Sequence, residues 1–418
     1  MAISVLPPHN QSRISESGRA GGLSLRLFSI AGITSCRIIC HLKRGIRADV
    51  MKKQWPPCVA SATLGVDQDP LKEAKYMLYV GVDIHKSNLQ VCLLDEQGNR
   101  CINTRVENSA DAVVAFFRGI SLPASVGMEP THNWGRLYDL LSMMGLEVKV
   151  CHPRDAKLIG LAQVKTDRTD AYKLATLLRV GLLPESYVPT QDGRELRCLV
   201  RGRAALKGVS TALKNQIHAI LKANWIKHPY SDLFGKAGRE FLADLMIESG
   251  YRDVMETKLE VLDCIDAQVR RLDKQIALRA GEDMRVQIVM TAPGFGCYRA
   301  VLVVGEVEDI SRFRRAESFV CSIGLNPRED SSGETTRRGR ITKEGSSWLR
   351  WVFIEAAHQA IKQEGKIRDL YLRVLERRGH NKAIVAAARE LAVSVYWMLR
   401  RMEPYSPSGR RVVSSEAR

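Results

Sequence analysis

Four carboxylates stand where phosphodiester chemistry would need them. Asp83 closes the apolar run Leu78-Tyr79-Val80-Gly81-Val82, Glu129 closes Ala124-Ser125-Val126-Gly127-Met128, and Asp167 and Asp170 stand three residues apart at the start of an amphipathic helix. Acids at two strand ends and at i, i+3 on one helical face can meet at a point. Such a set fits two Mg²⁺ ions, which between them stabilise the attacking and leaving oxygens of a phosphodiester. Each acid also has an ordinary role open to it. Asp83 could cap a turn, Glu129 could pair with Arg136, and either aspartate could cap the helix that follows.

The neighbours of these acids are polar and basic. Ile84-His85-Lys86-Ser87 follows Asp83, Pro130-Thr131-His132-Asn133-Trp134 follows Glu129, and Lys165 and Arg168 flank the paired aspartates. Lys86, Lys165 and Arg168 are therefore candidate phosphate contacts. Close carboxylates repel one another and ionise together only around a cation, so a metal is expected with them.

A second chemical feature lies between Gly324 and Gly345. Arg337, Arg338, Arg340 and Lys343 crowd one short loop, and Gly333, Gly339 and Gly345 would let its backbone approach an anion. Ser331-Ser332-Gly333 opens the loop. A serine there could attack phosphorus and store the cleaved bond in a phosphoserine linkage, or it could simply make a turn.

The elements that must position these residues begin at Met77. Runs 77–84, 90–95 and 101–107 read as three strands, with Gln97-Gly98-Asn99 turning between the last two. Helix 110–118, strand 124–129, helix 134–144, strand 147–151 and helix 170–180 follow. Three antiparallel strands and then alternating helices and strands give an α/β RNase H-like domain with a mixed sheet over 77–190. Helical periodicity fills 191–285, where Leu196, Val200, Leu206, Leu213 and Ile217 are answered by Leu259, Leu262, Val269 and Ile276 across a break near Pro229. This predicts a coiled-coil arm whose outer face is either solvated or a dimer seam. A mainly α C-terminal domain is expected over 286–403, opening on Pro293-Gly294-Phe295-Gly296, which is similar to a helix-hairpin-helix turn. The segment 404–418 reads as a disordered tail.

The chain has 418 residues, 45% of them hydrophobic, and a net charge of +17 despite 46 acids. That excess favours a polyanionic partner, nucleic acid before a membrane surface, because no apolar run nears the roughly 20 residues of a spanning helix. Ten cysteines occur without a Cys-x-x-Cys pair or a zinc-spaced histidine cluster, as expected of thiols in a reducing cytosol. Residues 1–76 differ from the rest. Only Glu16 and Asp49 are acidic in the first fifty positions, and Pro7-Pro8 and Pro56-Pro57 break the pattern. An organellar transit peptide or a basic, disordered arm would suit that composition; the favoured expectation is a start codon assigned too far upstream, with translation beginning at Met77 or Met51.

Six ordered blocks together resemble a known family. They are Gly81-Val82-Asp83-Ile84-His85-Lys86, Gly127-Met128-Glu129-Pro130-Thr131, Lys165-Thr166-Asp167-Arg168-Thr169-Asp170-Ala171, Pro293-Gly294-Phe295-Gly296, Gly324-Leu325-Asn326-Pro327-Arg328, and Ser331-Ser332-Gly333 with the basic run to Gly345. From Met77 to Ala388 the chain resembles the DEDD transposases of bacterial insertion sequences. These carry a RuvC-like N-terminal domain, a serine-bearing C-terminal transposase domain and a non-coding bridge RNA as guide. The resemblance implies that Asp83, Glu129, Asp167 and Asp170 form the metal site and that Ser332, with Ser331 as second choice, is the nucleophile. It further implies double-stranded DNA as substrate, a guide RNA, a dimer or tetramer joined through the arm, and a cytoplasmic, nucleoid-associated protein. The competing expectations are a metal-dependent junction resolvase that cuts by activated water and a non-enzymatic nucleic-acid-binding relic, against which the four intact acids argue. Residues 1–76 have no counterpart in the family pattern.

Overall fold

The apolar runs that end at Asp83 and Glu129 are two of the three interior strands of a five-stranded sheet. The computed structural model describes residues 77–120, 123–152, 155, 167–332 and 335–407, with backbone only for 330–332 and 335–338. The expected extension 1–76, the candidate Lys165 and the segment 408–418 lie outside the described residues.

Strands β1 (Leu78–Ile84), β2 (Asn88–Leu94) and β3 (Arg100–Glu107) form an antiparallel meander. Helix α1 (Ala110–Arg118) then leads to β4 (Ala124–Met128), and α2 (Trp134–Met143) leads to β5 (Glu147–Val150). The order across the sheet is β3-β2-β1-β4-β5, with β4 parallel to β1 and β5 parallel to β4. Position explains composition. β1 and β4 are covered on both faces and read as nearly continuous apolar runs, whereas β3, at an edge, is largely polar and exposed.

The two faces of the sheet have different cores. Val80, Val82 and Ile84 pack with Phe117, Leu137 and Leu141 of α1 and α2. On the other face Cys92 and Leu94 meet Ala171 and Ala175 of α3 (Asp167–Arg179), and Cys151 meets Leu174 and Leu178. Ser109 caps α1 by accepting from the Ala112 amide, a cap worth about 1 kcal/mol.

Next comes the expected arm. Helices α4 (Gln191–Ala223) and α6 (Ser249–Glu282) are each roughly 50 Å long, with the short α5 (Lys236–Asp244) between them. Arg203 pairs with Asp273, Lys207 with Asp266 and Lys258 with Gln216. As one residue number rises its partner's falls, so the helices run antiparallel. Ile217, Leu221, Leu233, Leu242 and Met255 seal the far end. The near end is not free-standing: Val200, Ile276 and Ala280 belong to the core of the C-terminal unit.

That unit is mainly helical. α7 (Met284–Met290), α8 (Cys297–Val307), α9 (Ala316–Ile323), α10 (Ser347–Ala360), α11 (Lys366–Arg378) and α12 (His380–Arg401) enclose Phe295, Phe319, Phe353 and Tyr396. Sequence periodicity did not predict α11, a charge-rich helix with Ile367 alone buried. Pro293-Gly294-Phe295-Gly296 does join two helices, but Gly294, at φ +84°, lies against the Ala356 backbone, and Phe295 packs edge-on to Phe353. Much of this turn is therefore used in packing. The stretch expected as a basic loop is instead a hairpin of β6 (Pro327–Ser332) and β7 (Thr335–Ile341). Order continues into the expected tail, where the Tyr405 amide donates to Thr291 Oγ1.

Candidate active site

Asp83 and Glu129 mark the same end of neighbouring parallel strands, since the last paired positions are Val82 and Met128. Strand alternation puts Asp83 on the face of Gly81 and Glu129 on the face of Gly127, and α3 covers both glycines. The loops beyond are tied together. Thr131 Oγ1 donates to the Ile84 carbonyl at 3.0 Å, Asn108 Nδ2 donates to the His85 carbonyl at 2.8 Å, and Asn108 pairs with Asn133.

The first turn of α3 brings Asp167 to this edge. His85 Nε2 lies 3.3 Å from Asp83 Oδ2 and 3.4 Å from Asp167 Oδ2, and one ligand atom from each residue falls within 4.8 Å of the others. Ligand atoms sharing an octahedral cation at about 2.1 Å sit roughly 3 Å apart, so these spacings suit one. His85 Nε2 is buried near both carboxylates and hydrogen-bonded to neither, so its lone pair could join them as a ligand. Two carboxylates and an imidazole make a possible site for a divalent metal.

Glu129 and Asp170 stand outside this group of three. Asp170 pairs with Lys173 at 3.2 Å, one turn further along α3. Glu129 faces Cys151, whose thiol is pushed up to about 12, first by burial and then by the Glu129 charge. Arg105 on β3 reaches Asp167 Oδ2 at 3.5 Å. Lys86, in the turn after β1, and Arg168, in the first turn of α3, are exposed at this end of the sheet.

His85 is the residue that the reading from sequence passed over as part of a polar loop. Its signal was available: it stands two positions after Asp83, and a period of two carries both side chains to one face. Ser331 and Ser332 lie at the end of strand β6, paired with Thr336 and Thr335 of β7, and not in the loop expected of them; Gly333 lies outside the described residues. Arg337, Arg338 and Arg340 belong to β7, and Lys343, at φ +57°, follows it. Gly345 answers a packing need, because a Cβ there would meet the Ser322 carbonyl oxygen at 2.0 Å.

Comparison with known proteins decides the family. The DEDD transposase model of the IS110 type, described as "Transposase", matches residues 80–226, and the model described as "Transposase IS116/IS110/IS902 family" matches residues 286–372. Together they take in more than half of the chain. The chain belongs to the IS110/IS116/IS902 transposase family. It is thus a transposase of the insertion-sequence type, an enzyme acting on DNA. Three relatives are matched over nearly their whole length. The "Transposase for insertion sequence element IS1111A" of Coxiella burnetii is 27% identical over 349 residues, 80% of this chain and 93% of that protein. The "Probable family 20 transposase" of Pseudomonas aeruginosa is 26% identical over 345 residues, 78% of this chain and 98% of its own. The "Transposase for insertion sequence element IS1328" of Yersinia enterocolitica is 23% identical over 331 residues, 77% and 96%. Among the described residues no helix is long and apolar enough to cross a membrane.

Proposed function

We propose that this transposase cuts and rejoins DNA strands with a serine nucleophile working beside a carboxylate-held divalent metal. The observation that carries the reading is the meeting of Asp83, His85 and Asp167 at the end of the sheet, with Glu129 at the end of the adjacent strand. Asp83, Glu129, Asp167 and Asp170, joined by His85, would hold Mg²⁺, two ions in the fullest form. Bound there, the metal would offset charge on the scissile phosphate and on the attacking and leaving oxygens.

Ser332, with Ser331 as the fallback, supplies the nucleophile. Its hydroxyl gives up a proton as Oγ bonds to phosphorus; the bond from phosphorus to the leaving deoxyribose oxygen breaks, and that oxygen takes up a proton. The resulting phosphoserine linkage keeps a phosphodiester's energy, so a strand-end hydroxyl can reverse the step on a new partner without ATP. Lys86, Lys165, Arg168, Arg337, Arg338, Arg340 and Lys343 would grip the DNA backbone, with a salt-dependent affinity.

Three parts divide this work: a RuvC-like catalytic domain over 77–190, an arm over 191–285 and a serine-bearing domain over 286–403. A composite site, with the acids of one subunit facing the serine of another, requires a dimer or tetramer. The arm supports this, since Tyr251, Val254 and Val261 leave an apolar stripe exposed on α6. A guide RNA would choose the target by base pairing, which leaves no trace in protein side chains. The place of action is the nucleoid in the cytoplasm.

The test is the product. Donor and target DNA incubated with the protein, Mg²⁺ and RNA transcribed from the element's flanks should give a covalent protein–DNA adduct that is lost in Ser332→Ala and in Asp83→Ala. Free 5′-phosphate ends without an adduct would replace this reading with cleavage by activated water, as in a junction resolvase.

A further inference from the structure

Among the described residues, Gln90 is the polar residue of the sheet's centre whose side chain is fully enclosed yet only half satisfied. It is 0% exposed, and on β2 it lies directly across from Asp83 in the antiparallel register. Side chains paired in this way share a face and stand about 5 Å apart at Cβ. Cys92 and Leu94, two and four positions along, contact α3, so Gln90 also lies on the α3 side.

The orientation of its amide is fixed by a backbone group. Asn103 Nδ2 donates to the Arg168 carbonyl at 3.2 Å, in the first turn of α3. A carbonyl accepts only, so the Asn103 amide nitrogen must face it and Oδ1 must face away. That oxygen takes the Gln90 Nε2 hydrogen bond at 2.6 Å. Asn103 is on β3, so Gln90 Nε2 points toward β3 and Oε1 toward the opposite neighbour, β1, where Asp83 stands. Gln90 Oε1 is buried and has no hydrogen-bond partner. Buried acceptors are nearly always met, and one left unmet beside a cluster of cation ligands calls for a donor that arrives with the ion.

We propose that Gln90 is a positioning residue of the acidic centre: Asn103 ties its amide to the first turn of α3, and its carbonyl oxygen accepts from a water carried by the cation held at Asp83, His85 and Asp167. The inference rests on the reading of that cluster as a metal site. The same two amides set α3 itself, because Arg168 follows Asp167 directly and its carbonyl is held by Asn103. Sheet and helix are thereby kept at one spacing at the point where their acids meet. Outer partners of this kind, which orient ligands and bound water, commonly change metal affinity by about 10- to 100-fold when removed.

The experiment is a Mn²⁺ titration of the purified full chain without DNA, read by the electron paramagnetic resonance of the free ion, with melting temperatures recorded ion-free and ion-saturated. Gln90→Met keeps the volume and removes the acceptor. It should weaken Mn²⁺ binding about tenfold or more and shrink the ion-induced rise in melting temperature. Gln90→Glu keeps an oxygen facing β1 and, with its proton on the oxygen that faces Asn103 Oδ1, keeps the tie to Asn103 and should hold the affinity. A purely structural role would lower the ion-free melting temperature in both variants and leave the affinity alone. Should Gln90→Met not fold, Asn103→Ala, which frees the Gln90 amide to rotate, should weaken Mn²⁺ binding in the same direction. Parental affinity in Gln90→Met, or in Asn103→Ala where that is the variant used, overturns the proposal while Asp83→Asn still abolishes binding. If Asp83→Asn also binds as the parent does, the metal reading itself has failed and takes this inference with it.

Discussion

The carbonyl oxygen of Ala171 occupies the space in which a side chain at Gly81 would begin. A Cβ built on Gly81 would lie 2.0 Å from that oxygen and 2.5 Å from the Ala175 amide nitrogen. Both atoms are backbone of α3, so neither can swing aside as a flexible side chain would. Helix α3 rests directly on β1, and one turn before Ala171 it delivers Asp167 to Asp83. Gly81→Ala should therefore lift α3 off the sheet. Overpacking of this kind costs about 1–3 kcal/mol, and a displacement near 1 Å at a reacting centre can cost about 100-fold in rate. Melting temperature and strand-cleavage rate measured on the same preparation check this; a variant with the parent's rate would mean that α3 does not set the centre.

Arg105 would compete with a bound cation for the Asp167 carboxylate. Its guanidinium lies 3.5 Å from Asp167 Oδ2, and both side chains are substantially exposed. An exposed pair contributes about 0–1 kcal/mol, so Arg105→Ala should hardly alter the melting temperature. Removing a positive charge beside a cation site should nevertheless tighten Mn²⁺ binding, and the gain should fade at high salt. His85→Ala should act in the opposite direction by removing the one nitrogen ligand of the cluster, and should lower affinity about tenfold or more. Isothermal titration of both variants at low and high salt tests the pair of signs. Equal shifts in the same direction would contradict the geometry.

The catalytic half of the fold was largely legible because burial and chemistry point the same way there. Apolar runs covered on both faces can only be central strands, and an acid that ends such a run is forced to the sheet's edge, so Asp83 and Glu129 announced themselves. His85 did not, because the same period of two that places it beside Asp83 continues past the strand into a segment that composition marks as a turn. The serine hairpin was read as a loop for a different reason. Its strands Pro327–Ser332 and Thr335–Ile341 pair with one another through their backbones, and their sequence lacks the apolar alternation that betrays a half-buried strand. Gln90 and Asn103 were invisible for a third reason. Their meaning lies in a register between strands and a contact with a helix 65 positions away, and no local pattern encodes either.

Two enclosed thiols should weaken the fold in alkali. Burial pushes Cys92 up to about 11, with Arg100 pulling it back and Cys101 adding to the rise, while burial and then Glu129 push Cys151 up to about 12. An unfolded thiol titrates near 9.0. The folded state thus holds these protons more tightly, and their contribution to stability is full below about pH 9 and is lost as pH rises toward 11 and 12. Melting temperatures between pH 8 and about 11 should fall more steeply for the parent than for Cys92→Ala/Cys151→Ala, whatever the variant's absolute stability. Glu129→Gln should flatten the curve slightly, since it removes the second cause acting on Cys151. Identical slopes for parent and double variant would show that neither thiol governs the weakening.

The arm presents a second heptad seam beside the one it buries. Along α6 the steps Tyr251, Val254, Lys258, Val261, Ile265 alternate three and four residues, and the first, second and fourth are exposed apolar side chains. Along α4 the exposed positions Cys198, Gly202, Ala205, Val209, Ala212 and Gln216 repeat the same steps, four of the six being Cys, Gly or Ala. Lys258 donates to Gln216 Oε1 at 2.6 Å, which places the two rows side by side on one surface. Small side chains on one helix and β-branched ones on the other suit knobs-into-holes packing against a second such pair. In water an apolar strip of this length is costly to leave bare. Val254→Asp/Val261→Asp should therefore leave helix content intact by circular dichroism, because Met255, Leu262 and Val269 on the buried seam are untouched, and should move the mass by light scattering from dimer toward monomer. A parent that is already monomeric, or a double variant of unchanged mass, would assign this surface to solvent and require the composite site to be assembled through another face.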